Sequence, residues 1–165
     1  MFSNELASKL IKLPKNISGG ETTINISDEK SRFSLSNSDE PDYDFLFEIS
    51  SHRKITFKIS FHNQENNTKE GLIRVDYKGG HKNPETITDL VPEILKPFVG
   101  YFFQNEPHIH IYVEGFKDLA WAIPLSHYNF PILEIKNTDD LVKAIKAFTK
   151  EINIVTPFII QNAIL

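Results

Sequence analysis

A chain of 165 residues that is 40% hydrophobic and 12% aromatic can bury one real core, and its 18 basic and 22 acidic side chains leave a formal charge of −4. That balance excludes a protein that coats DNA by general electrostatics, and the lack of cysteine excludes disulfides, a thiolate nucleophile and cysteine-based zinc or iron–sulfur sites. The start Met1-Phe2-Ser3-Asn4-Glu5-Leu6 has no signal-peptide pattern, and nowhere do about 18 apolar residues run together, so a cytoplasmic chain without membrane contact is expected.

Leu6, Leu10 and Leu13 recur at near-helical spacing behind Asn4, the expected cap of a short helix that Pro14 closes. Asn16 to Gly20 reads as a turn, followed by Thr22, Ile24 and Ile26 and then Phe33 and Leu35 as two short strands of a hairpin. Ser36 to Asp42 is a loop. Tyr43, Phe45, Phe47 and Ile49, then Ile55, Phe57, Ile59 and Phe61 beyond a turn at Ser50 to Arg53, keep the longest period of two and read as adjacent antiparallel strands. Asn63 to Gly71 is a polar turn before a strand at Leu72 to Tyr77.

Lys78 to Pro84 reads as a turn whose paired glycines could also cradle a phosphate, and Val91 to Phe103 as a short helix. His108 to Glu114 is a strand that turns at Gly115-Phe116-Lys117 and pairs with Asp118 to Pro124. Thr138-Asp139-Asp140 caps a last helix with Leu141, Ile145, Phe148 and Ile152 on one face, and the apolar tail from Pro157 to Leu165 should dock. Thirteen Phe against one Met and one Trp favour sheet faces over helical seams. The whole predicts a single α+β domain over 1–165: a mostly antiparallel, strongly twisted or barrel-like sheet with an N-terminal and a C-terminal helix packed on it.

Alternation puts His108, His110, Tyr112 and Glu114 on one face of their strand and Ile109, Ile111 and Val113 on the other, and it pairs Arg74 with Asp76 in the same way. If the two strands are neighbours, these six groups share one surface. That set suits metal-free cleavage of RNA: His108 and His110 as acid and base, Glu114 as orienter or base, Arg74 as phosphate clamp and Tyr112 as hydrogen-bond donor. Asp76, His81, Lys82 and Asn83 are the candidate binding residues, and no cofactor is expected. A metal site is the second reading, with His108 and His110 joined by His81, Asp76 or Glu114, and His81 first among these. An ordinary solvated strand face and a partner-binding face are the remaining readings. Trp121 is assigned to the core, and His52, His62 and His127 to the surface.

The succession Arg74-Val75-Asp76, Gly80-His81-Lys82-Asn83-Pro84, His108 to Asp118, Ala122-Ile123-Pro124-Leu125 and Asn153-Ile154 resembles an uncharacterised family of small bacterial proteins. Its members often lie near phage and mobile-element genes. The resemblance covers roughly residues 70 to 160, and Glu85 to Pro107 stands out as an insertion. It implies a genomic setting rather than a chemistry. Accessory proteins of that setting are commonly toxin-like ribonucleases or non-enzymatic inhibitors of a host defence complex, the anti-CRISPR type. The partner is accordingly RNA or a defence protein complex, met in the second case through an acidic surface.

Overall fold

The computed structural model describes residues 1–52 and 54–162; Arg53 of the expected turn and residues 163–165 of the expected docking tail lie outside the described residues. The chain opens with α1 (Asn4–Lys12) and closes its core with α2 (Thr138–Glu151). Between them, seven strands form one open antiparallel sheet in the order β1 (Asn16–Ile17), β3 (Lys30–Ser36), β4 (Asp44–Ser51), β5 (Ile59–Glu65), β6 (Glu70–Asp76), β9 (His108–Ile111) and β10 (Trp121–Pro124). β2 (Thr23–Asn25) pairs in parallel with β11 (Ile159–Gln161), and β7 (Gly80–Lys82) pairs antiparallel with β8 (Phe102–Gln104). The α+β class with a helix at each end is as the sequence predicts, and the sheet does not close into a barrel. No helix among the described residues is long and apolar enough to cross a membrane.

Alternation sorts the sheet into two faces. Inward rows run Ile49, Phe61, Val75, Ile109, Ile123 and Phe33, Phe47, Asn63, Ile73, Ile111, Trp121. α2 lies on this face because Leu141, Ile145 and Phe148 return to one side of the helix; Phe148 packs on Phe47 at 5.6 Å and on Phe61 at 5.4 Å between ring centroids. Outward rows run Arg32, Glu48, His62, Arg74, His110 and Lys30, Ser50, Ser60, Asp76, His108. The opposite side of an apolar core is therefore a ladder of polar groups.

Several local expectations shift. Ser3, not Asn4, caps α1, its hydroxyl accepting from Leu6 N at 3.1 Å, and Asn137 caps α2 one residue before Thr138. The predicted hairpin is absent: β2 pairs with β11 and β3 with β1 and β4, so Asn16 and Ile17 form a strand instead of a turn. The strand read at Ile55 to Phe61 starts at Ile59 and runs on to Glu65, because Ile55 to Phe57 form a tight turn with Phe57 at φ 56°. Val91 to Phe103 holds no α-helix; Pro92 and Pro97 limit it to a single 3-10 turn at Lys96–Phe98 before β8. The tail does dock, as β11 beside β2.

Lys15 is fully buried where the two helices end. Its ammonium donates to Ile11 O at 2.8 Å, Leu13 O at 2.9 Å and Ile152 O at 2.8 Å, and lies 4.8 Å from the Phe45 ring centroid. These carbonyls belong to the last turn of α1 and the end of α2, where unpaired acceptors and the negative helix dipole both favour a cation. One side chain thus fastens both helix ends.

Candidate functional site

Register brings the predicted strands together. Asp76 stands opposite His108 and Arg74 opposite His110 across the β6–β9 pair, so the conditional neighbourhood in the sequence is the actual one. All four side chains lie on the outward face.

The two imidazoles are fixed in the same manner. His108 Nδ1 lies 2.7 Å from Glu106 O and His110 Nδ1 lies 2.8 Å from Leu119 O; a carbonyl only accepts, so each Nδ1 carries the proton. Each Nε2 then turns to Asp76 Oδ2, at 3.6 Å from His108 and 3.0 Å from His110. The Leu119 carbonyl is aimed by a strained turn, since Asp118 and Leu119 both take positive φ, 59° and 51°. Such a conformation costs of order 1 kcal/mol or more per non-glycine residue and persists where the surroundings enforce it.

Asp76 is held from its other side by Arg74 Nε at 3.0 Å and by a very short hydrogen bond from the Ser60 hydroxyl. Burial alone would raise its carboxyl, but the His110 hydrogen bond, the Arg74 charge and Ser60 outweigh it and hold the group well below the usual carboxylate range. Burial lowers the His108 imidazole, and burial followed by the His110 charge lowers His81. The lowered imidazoles of His108 and His81 therefore flank a firmly ionised carboxylate.

β7 and β8 cover one end of this cluster. Phe103 stacks on His108 at 4.7 Å, and the His81 ring meets that of His110 edge-on at 4.5 Å. His81 Nε2 lies 2.9 Å from Ala120 O, while Asn83 donates to Ala122 O at 2.7 Å and accepts from Ala122 N at 2.8 Å. The other end is open. A cleft of about 410 Å³ there is lined by Asp76, His110, Arg74, His81, His62 and Lys69.

The candidate residues therefore divide. Arg74, Asp76, His81 and His110 line the cleft, and His108 is buried next to Asp76 and His110. Tyr112 and Glu114 do not join them, because strand pairing ends at Ile111 and the period of two ends with it. The Tyr112 hydroxyl donates to Phe2 O at 2.6 Å, and the Glu114 amide donates to the Asn4 side chain at 2.7 Å. Lys82 points to solvent and pairs with Glu85, and Asn83 is buried as a clamp on β10. Asp76, rather than His81, converges on the two histidines as a third ligand atom, all three within 4.8 Å of one another.

His62, assigned above to the surface, lines the cleft on β5 opposite Arg74, as do Lys69 and Asp118. Spacing sets His62 on the polar face of its strand with Lys58 and Ser60, and only the β5–β6 register, which spacing does not give, sets it beside Arg74. Gly71 makes room for it: a Cβ there would come within 2.9 Å of Leu119 Cγ and 3.3 Å of His62 Cε1. Gly71→Ala is expected to cost about 1–2 kcal/mol of stability through that overlap and to shift the His62 ring resonances in an NMR spectrum. Unchanged resonances would count against the close packing.

No curated protein and no solved structure matches the chain. One family does, over residues 2–154, which extends the match well toward the N-terminus beyond the motif-bearing half and through Glu85 to Pro107. The chain belongs to this family, described as a family of unknown function (DUF6978).

Proposed function

We propose that the chain is an RNA-cleaving accessory protein of a phage or mobile element, with the cleft on the outward sheet face as its centre. The observation that carries this reading is the convergence of Lys69 and Arg74 with His62, His81, His110 and Asp76 on one cleft of about 410 Å³, a size suited to a nucleotide unit. Arg74, whose side chain is 44% exposed, and Lys69 are placed to hold a phosphate and to offset charge that builds on phosphorus during attack. His81 stands at the wall as a proton-transfer group, its Nε2 committed to Ala120 O and its Nδ1 left as the lone-pair nitrogen. His110 has both ring nitrogens engaged and His108 is 1% exposed, so their part is to form the charged floor with Asp76 rather than to meet the substrate.

Incubation with single-stranded RNA tests the reading. Wild type is expected to cleave; Arg74→Ala should slow cleavage about 100-fold, and His81→Gln by a similar factor. Intact RNA with wild type, or cleavage that survives Arg74→Ala unchanged, sinks it.

A specific feature supports a second reading, the non-enzymatic inhibitor of a host defence complex. Ile87, Leu90, Ile94, Val99, Tyr101 and Phe102 are all exposed within Glu85 to Pro107. The contact would then be apolar rather than acidic. Co-purification with a defence complex that is lost on Phe102→Asp and kept on Arg74→Ala is the result this reading requires.

A further inference from the structure

We propose that Asp76, His108 and His110 form a divalent-cation site at the floor of the cleft, with zinc the best-fitting ion. The first ground is the orientation of the rings. Each histidine spends its Nδ1 proton on a backbone carbonyl, Glu106 O or Leu119 O, which fixes the tautomer and presents Nε2 as the donor atom. Metal-binding histidines are held in this way by their outer partners.

The second ground is an electrostatic mismatch. With Nδ1 of each ring turned to a backbone carbonyl, both Nε2 atoms point at Asp76 Oδ2, at 3.6 and 3.0 Å, and such a contact calls for positive charge between nitrogen and oxygen, a proton or a cation. A second ring proton on His110 answers the shorter contact but does nothing for His108. A cation among the three atoms answers both.

Distance is the third ground. Ligands at about 2.1 Å from a tetrahedral zinc lie about 3.4 Å from one another. The carboxylate-to-imidazole separations of 3.0 and 3.6 Å bracket that value, and all three donor atoms fall within 4.8 Å of one another. Asp76 is itself oriented by Ser60 and Arg74, as an outer shell would orient a ligand. Two imidazoles and a carboxylate from neighbouring strands also match the three protein ligands of a catalytic site, in which a further position is left for water or substrate. Asp76 and His110 line the cleft, so that position opens toward it.

The site rests on side-chain geometry alone. It deepens the RNA-cleavage reading by supplying a Lewis acid beside the phosphate clamp, yet it stands if RNA is left uncut. Calorimetric titration of chelator-stripped full-length protein with zinc chloride is the test, with cobalt(II) absorption as a second readout. One equivalent of zinc should bind at micromolar concentration or below, and cobalt should give the visible bands of a tetrahedral nitrogen and oxygen site. Asp76→Asn and His108→Gln, each shown by circular dichroism to fold, should weaken zinc at least tenfold, whereas the exposed His127→Gln should leave it unchanged. Absence of zinc and cobalt binding by wild type overturns the proposal, as does binding that both ligand variants retain. RNA cleavage is scored separately on the same preparations, so metal uptake with intact RNA refutes only the enzymatic reading.

Discussion

Replacing Lys15 with methionine is expected to lower the unfolding free energy by about 3 kcal/mol, measured by urea denaturation at pH 7. Methionine fills most of the space, so the loss isolates polarity from packing. Ile11 O, Leu13 O and Ile152 O would each lose the donor they now share. Buried acceptors without partners cost about 1–3 kcal/mol apiece, and relief from burying the ammonium offsets part of that sum. Burial pushes the Lys15 ammonium down to about 7 from its ordinary 10.5. Between those two values the unfolded chain binds more protons than the folded one, so wild-type stability should rise with pH there. The methionine variant should lack that rise. A variant as stable as wild type at pH 7 would remove Lys15 from its role as the joint between helices.

Asp76→Ala in chelator-treated protein is the second large effect, a loss of about 3 kcal/mol. Most of it falls on the His110 side, which is buried; the Arg74 side chain is 44% exposed, and water screens its share. The folded carboxyl sits below its ordinary value of 3.8, so the stability it contributes is complete above that value and drains away as the pH falls below it. Wild type and variant should therefore differ less at pH 3 than at pH 7, by about 1 kcal/mol. A gap that widens in acid would mean that Asp76 is not held ionised by its neighbours.

The sequence made some of this site legible because alternation is a local property. Arg74 with Asp76, and His108 with His110, could be assigned to shared faces from spacing alone, and the apolar partners Val75 and Ile109 told which face turned inward. Adjacency of the two strands could only be posed as a condition, since 31 residues, Tyr77 to Pro107, separate Asp76 from His108. The end of β5 is hidden for a different reason. Asn63, Gln64 and Glu65 look like turn residues, yet Asn63 is buried on Leu46 O and Glu65 is buried where its carboxylate accepts from Asn67 N and Thr68 N. Polar side chains that hydrogen-bond to backbone groups extend a strand that composition says should end.

Tyr112 and Glu114 failed in the opposite sense. The period of two was carried past Ile111, where the ladder stops, and the chain then turns toward α1. The parallel pairing of β2 with β11 had no local signal at all, because its partners lie more than 130 residues apart.

The clamp on β10 bears on how the molecule behaves in a crowded solution. Ala120 O and both backbone groups of Ala122 face outward from the last strand of the sheet, where another chain could add itself by hydrogen bonding. His81 and Asn83 fill those positions. The ribbon that covers the histidines is thus also the stopper of the sheet, and any excursion that lifts it uncovers an adhesive edge together with the cluster. Variants that loosen β7 should therefore betray themselves by concentration-dependent aggregation before any change in the cleft is noticed.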